Sequence, residues 1–130
     1  MTLSKEHKKF AKQICVGYNP ARDCGSDAEK ASQWIMENTN KTDILYVQDE
    51  YTALAYYTNR KIILAPFNKT VFFNPKTTSM EQDGYYVYFE KQDKNERFPK
   101  TEEIANDQRF RLVELVENKE GVYIYEYKSI

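Results

Sequence analysis

Apolar and polar positions alternate with two different periods along this chain, and the change between them marks the elements. From Ser26 the period is helical. Ser26-Asp27-Ala28-Glu29 has the form of a capping box, and Ala28, Ala31 and Ile35 then recur on one face, with Trp34 flanking it. Asn38-Thr39-Asn40 breaks that pattern, and Asp43–Gln48 is a short apolar run of the kind that forms a buried strand. Asp49 is placed to cap a second helix, predicted over 50–58 and facing inward through Leu54 and Ala55. After a turn at Asn59-Arg60-Lys61, in which Asn tolerates a left-handed backbone, Ile62–Ala65 reads as a second buried strand closed by Pro66. Strand, helix and strand in so short a span make a right-handed parallel unit the economical arrangement.

Beyond Pro66 the pattern is less regular. Val71-Phe72-Phe73 reads as a short edge strand or a packed loop, and Asn74-Pro75 to Gly84 as turns. Tyr85–Phe89 is aromatic and β-branched throughout and reads as a strand. Lys91–Arg97 reads as a solvated connection, and Phe98–Ala105 as a short helix with Thr101 as its cap. Arg109–Glu117 alternates with period two, facing Phe110, Leu112 and either Val113 or Leu115 inward. After a turn at 118–121, Val122–Tyr127 returns as its hairpin partner. The fold expected is therefore α/β: a small mixed sheet with a parallel βαβ core, flanking helices and a C-terminal antiparallel hairpin.

Ahead of this lies a different stretch. Residues 1–14 read as a basic helix carrying Lys5, Lys8, Lys9 and Lys12, with Phe10, Ala11 and Ile14 as its apolar contacts, and Gly17–Gly25 reads as a loop. Residues 1–25 can thus serve as the linker from a preceding segment, and 26–130 form one α/β domain. A chain opening Met1-Thr2-Leu3-Ser4 can equally be a piece of a longer protein. No run approaches the ~20 apolar residues of a membrane span, so contact with a membrane is expected only through a parent chain.

Composition changes the picture at one point. Eleven Tyr and seven Phe in 130 residues exceed an ordinary share; strand propensity accounts for them, and an aromatic binding surface is the sharper alternative. A net charge of -1 without a clustered basic field argues against a nucleic-acid partner. Cys15 and Cys24 have neither redox nor zinc spacing, and with His7 as the one imidazole no metal site is expected. The four glycines are scattered, against a phosphate-binding loop, and no cofactor is expected. No residue stands out as catalytic. Asn40-Lys41-Thr42 and Asn68-Lys69-Thr70 match the N-glycosylation pattern at about the chance level for a chain this rich in Asn.

What chemistry there is falls where open parallel sheets hold ligands, beyond the carboxyl ends of the strands. Gln48, Asp49 and Tyr51 follow one strand and Asn68 the next, residue types suited to hydroxyl recognition, with Tyr51 supplying ring contact. A carbohydrate or another polyol is the small ligand expected there. Capping of helices by Asp49 is the alternative that needs no ligand.

Three segments together resemble a known family. Ala31-Ser32-Gln33-Trp34-Ile35-Met36-Glu37-Asn38-Thr39, then Asp43-Ile44-Leu45, then Ala55-Tyr56-Tyr57-Thr58-Asn59-Arg60-Lys61 are similar to the soluble extracytoplasmic domain of membrane glycosyltransferases. These are polytopic enzymes of the protein-mannosyltransferase and aminoarabinose-transferase type, which use polyprenyl-phosphate sugars. Arg109-Phe110-Arg111-Leu112-Val113 and its Tyr-rich partner resemble that domain's last hairpin. The match covers about a third of the chain, Asn59 stands where the family has glycine, and Phe67–Gly84 has no counterpart. The resemblance implies a non-catalytic domain outside the cytoplasm that assists acceptor-protein or sugar recognition. Because the family's catalytic acids lie in its membrane-embedded part, it carries no catalytic residue to any position here. A stand-alone protein-interaction or ligand-binding module is the other reading.

Overall fold

The computed structural model describes residues 25–76 and 79–129; the expected helix over 1–14, most of the loop after it, and both cysteines lie outside them. The elements are α1 (Asp27–Asn38), β1 (Ile44–Val47), α2 (Tyr51–Thr58), β2 (Lys61–Leu64), α3 (Lys69–Phe73), β3 (Gly84–Phe89), a 3-10 turn (Glu90–Lys94), α4 (Thr101–Ala105), β4 (Phe110–Glu117) and β5 (Gly121–Tyr127). Five strands form one mixed sheet in the order β2-β1-β3-β5-β4. β1 pairs in parallel with β2 and β3, and β5 lies antiparallel between β3 and β4. The α/β class, the parallel core and the C-terminal hairpin are as the pattern predicts.

Alternation along the strands sorts the core by chemistry. Tyr46, Tyr86, Tyr88, Tyr125, Tyr127 and Phe110 point to one face, where Phe72 of α3 and Ile104 of α4 cover them. Leu45, Val47, Val87, Phe89, Val122 and Ile124 point to the other, under Ala28, Ala31 and Ile35 of α1 and Leu54 of α2. One face is thus aromatic and the other mostly aliphatic, and the small side chains of α1 let that helix approach closely. The connection from β1 to β2 runs through α2 on the aliphatic face. The connection from β2 to β3 runs the opposite way through α3 on the aromatic face, and this change of face lets both crossovers keep one hand.

Five of the eleven tyrosines, Tyr46, Tyr86, Tyr88, Tyr125 and Tyr127, are buried, and several of their hydroxyls are bonded inside the protein. Tyr46 donates to Gln82 O at 2.7 Å, Tyr127 to Met80 O at 2.6 Å and Tyr88 to Pro99 O at 2.7 Å. Burial raises the pKa of each, and of Tyr86, above the ordinary phenol value, so these hydroxyls stay neutral donors. Gly84 opens β3 because nothing larger fits: a Cβ there would lie 2.5 Å from Ile44 O.

Several expectations are corrected. β2 is the sheet's edge, with Ile62 and Ile63 half-buried and Leu64 exposed, not a buried strand. Leu54 faces the core as expected, but Ala55 is exposed and Ala53 takes its place, because an eight-residue helix on a twisted sheet touches it along a narrow stripe. Val71–Phe73 is helical, since Asn68 Oδ1 accepts the N–H groups of Thr70 (2.8 Å) and Val71 (3.4 Å) and nucleates a turn. Thr101 is the first helical residue of α4, not its cap; Glu103 reaches back to the N–H of Lys100 at 2.9 Å. A β-bulge between Leu112 and Glu114 turns Val113 and Val116 toward the aliphatic core and leaves Leu112 and Leu115 exposed. Lys91–Arg97 is not wholly solvated, for Gln92 is 1% exposed.

The carboxyl ends of α1 and α2 meet in space. The Arg60 guanidinium bonds Thr39 Oγ1 (3.2 Å), Thr39 O (3.1 Å) and Thr58 O (2.9 Å), tying together the carboxyl ends of α1 and α2, where a cation suits the helix dipoles. Asn59 has φ 52°, the left-handed cap expected of it.

Candidate functional site

The parallel strands end together at Val47, Leu64 and Phe89. From β1 the chain leaves toward α2 on the aliphatic face, and from β3 through the 3-10 turn toward α4 on the aromatic face. The two exits diverge, which is the geometry that opens a crevice in sheets of this kind.

Gln48 fills the space between the two exits. It is 4% exposed. Its Oε1 accepts from the Tyr86 hydroxyl and from Gln92 Nε2 at 2.8 Å, and its Nε2 donates to Pro66 O at 2.6 Å. Gln92 Oε1 in turn accepts the Phe89 N–H at 3.0 Å. Both acceptor positions of the Gln48 carbonyl are occupied, so this residue joins three segments from inside.

Above it, Asp49 and Glu50 stand at the surface with Lys91. The ammonium bonds the Glu50 carboxylate and lies 3.7 Å from Asp49 Oδ2. Partial burial works to lower the Lys91 pKa, but the contacts with Glu50 and Asp49 outweigh it and raise it above the ordinary lysine value. Asp49 does not cap α2 as expected. Its Oδ1 accepts the Glu50 N–H at 2.8 Å, and Glu50, at φ 57°, supplies a left-handed turn that starts the helix one residue later without a side-chain cap. That backbone is rare for a residue with a long side chain and costs about 1–2 kcal/mol; the Lys91 contact offsets part of it.

Glu50 stands on a ridge between two depressions. One, of about 220 Å³, is lined by Ser26, Asp27, Glu50, Glu90, Lys91 and Lys119 among others. Its carboxylates serve as anchors for the β4–β5 turn: Asp27 accepts the N–H of Lys119 at 3.0 Å and of Glu120 at 3.2 Å, and Glu90 accepts that of Gly121 at 2.7 Å. The other, shallower and about 500 Å³, is lined by Glu50, Tyr51, Thr52, Ala53, Tyr56 and Tyr57. Tyr51 is 53% and Tyr56 81% exposed, and the rings of Tyr56 and Tyr57 meet edge to face at 5.2 Å.

The four residues expected at a site are therefore distributed. Gln48 lies beneath the surface, Asp49 is held by Lys91, and Tyr51 is free-standing in the tyrosine depression. Asn68 caps α3 in a separate depression of about 430 Å³ with Phe67, Lys69 and Arg97. Sequence reading missed Lys91, Tyr56 and Tyr57 as neighbours of Asp49 and Tyr51. The tyrosines were within reach of the helical period of α2, whereas Lys91 comes from a strand end that only the β1–β3 pairing brings alongside.

Among the described residues no group of three or more His, Cys, Asp and Glu side chains converges on a point that could hold a metal ion. Nor is any helix among them long and apolar enough to cross a membrane. The sequence matches no protein-family model, no curated protein and no solved structure.

Proposed function

We propose that this chain is a non-catalytic recognition domain of a membrane-glycosyltransferase-like protein, lying outside the cytoplasm and contacting a carbohydrate or an acceptor protein at the carboxyl end of its parallel strands. One observation carries the ligand chemistry: exposed tyrosine rings at Tyr51 and Tyr56 stand beside the Asp49–Glu50–Lys91 cluster. Aromatic faces receive the apolar C–H side of a sugar ring, while carboxylates and an ammonium bond its hydroxyls. The acids around them are engaged by backbone N–H groups and by Lys91, an arrangement that holds loops in place and favours recognition over proton transfer. The glycosyltransferase-like parent rests on the sequence resemblance alone.

Titration of the chain with monosaccharides and sugar phosphates, followed by amide NMR, tests the ligand. Shifts confined to Asp49–Ala53 and Tyr56, and abolished by Tyr51→Ala, are expected. No response at millimolar sugar, or a response centred elsewhere, removes the site. The parent is tested separately by the coding sequence upstream of residue 1, where several hydrophobic spans are expected.

A further inference from the structure

The tyrosine depression and its rim offer a ligand different things. Helix α2 carries no charged side chain along its whole length. Tyr51 and Tyr56 line the same depression of about 500 Å³ and stand five residues apart. At ~1.5 Å per residue that separates them by about 7.5 Å along the axis, more than one helical turn. A sugar ring lying on Tyr51 therefore leaves Tyr56 to a second unit.

The ionic groups gather at one end, where acceptors outnumber donors. Glu50 lines the depression, and Lys91 bonds its carboxylate and lies 3.7 Å from Asp49. On the far side of Glu50, the smaller depression sets Asp27, Glu90 and Glu120 against Lys91 and Lys119. A carboxylate offers about four lone-pair sites and no proton, so Glu50 keeps acceptor capacity beyond its contact with Lys91. That capacity suits hydroxyl protons. A phosphate or carboxylate on the ligand brings acceptors where acceptors already stand, and like charges at about 4 Å repel even through water. An ammonium on the ligand meets Lys91 already in its place.

We infer that the tyrosine depression takes an uncharged oligosaccharide and discriminates against sugars that carry a phosphate, a carboxylate or an ammonium group. The inference rests on the carbohydrate reading given above and narrows it. Consecutive units lay their C–H faces on Tyr51 and Tyr56, and the Glu50 carboxylate accepts from a hydroxyl at the rim. Lys91 is a positioning residue that holds Glu50 there. A glycosyl donor activated through phosphate is disfavoured by the same charges, so the chain contacts a neutral glycan of an acceptor and not the activated end of a donor.

The full chain is titrated with maltotriose, chitotriose and cellotriose, with their monosaccharides, and with glucose 6-phosphate and protonated glucosamine, all followed by amide NMR. At least one trisaccharide should shift Glu50–Ala53 and Tyr56 and bind about tenfold tighter than its monosaccharide, the worth of one further aromatic contact. Glucose 6-phosphate and glucosamine should bind no tighter than glucose. Tyr56→Ala should bring the trisaccharide down to the affinity of the monosaccharide and leave the monosaccharide unchanged. Glu50→Gln keeps an acceptor, removes the charge and frees the Lys91 ammonium, so it should narrow the gap between glucose and glucose 6-phosphate while trisaccharide binding persists. A charged sugar that binds tighter than glucose, or trisaccharides no tighter than their monosaccharides, overturns the inference and leaves the carbohydrate site standing. No shift with any of these sugars removes the site and the inference together.

Discussion

Replacing Gln48 with Leu would take the partner away from two buried polar groups, the Tyr86 hydroxyl and the Gln92 amide, and from the part-buried Pro66 carbonyl. We expect Gln48→Leu to cost about 3 kcal/mol by urea unfolding, because stranded buried groups carry their desolvation penalty in full. Tyr86→Phe leaves Gln48 still bonded to Gln92 and should cost only about 1 kcal/mol. A neutral Gln48→Leu would return that side chain to the candidate ligand set. A second buried polar knot lies at Arg109, 5% exposed, whose Nη2 bonds Asp107 at 2.7 Å and Phe72 O at 3.2 Å. Burial works to raise the Asp107 pKa, but its bonds to Arg109 outweigh this and hold it below the ordinary carboxylate range. Its stabilising contribution is therefore complete above the unfolded-state pKa of about 3.9 and is lost as pH falls through the lower folded value. Asp107→Asn should cost about 3 kcal/mol at neutral pH, since it leaves a buried guanidinium without its counter-charge. Thermal melts on the acid side should show a flatter decline for this variant than for the wild type.

At the scale of elements, the departures from pattern have local causes. Trp34 flanks the α1 stripe and is half-buried against the aliphatic cluster. Trp34→Ala should accordingly cost about 2 kcal/mol rather than the larger loss of a fully buried ring; calorimetric melting measures it. The bulge at Val113 shows how one inserted residue reverses an alternation that is regular in sequence. Gly84 is fixed by a neighbouring strand: Gly84→Ala must push the β3 start away from Ile44 O and should cost about 2 kcal/mol by denaturant unfolding, with β1–β3 amides losing exchange protection first.

For the molecule as a whole, a two-sided sheet leaves little room for a deep cleft. Helices cover both faces, the loops after β1 and β3 lock through Gln48, Gln92 and Lys91, and the depressions among the described residues lie at the surface: one beside the tyrosines of α2, one beside Asn68 and one beside Asp27 and Glu90.

Local physics was legible in the residues themselves. Helix α1 announces itself through a capping Ser and the spacing of Ala28, Ala31 and Ile35; the hairpin through alternation around a turn; the left-handed cap through Asn59. Each depends on atoms a few residues apart. Which strand is an edge, by contrast, depends on what lies beside it. Ile62-Ile63-Leu64 and Ile44-Leu45-Tyr46 look alike in sequence, yet among the described residues β1 has a neighbour on either side and β2 on one alone. The candidate site divides along the same line. The sequence placed Gln48, Asp49 and Tyr51 at a strand end, because chain order does that unaided. It could not show that Tyr86 and Gln92, 38 and 44 residues away, converge on Gln48 and withdraw it from solvent, since only the pairing of β1 with β3 brings them within hydrogen-bonding distance.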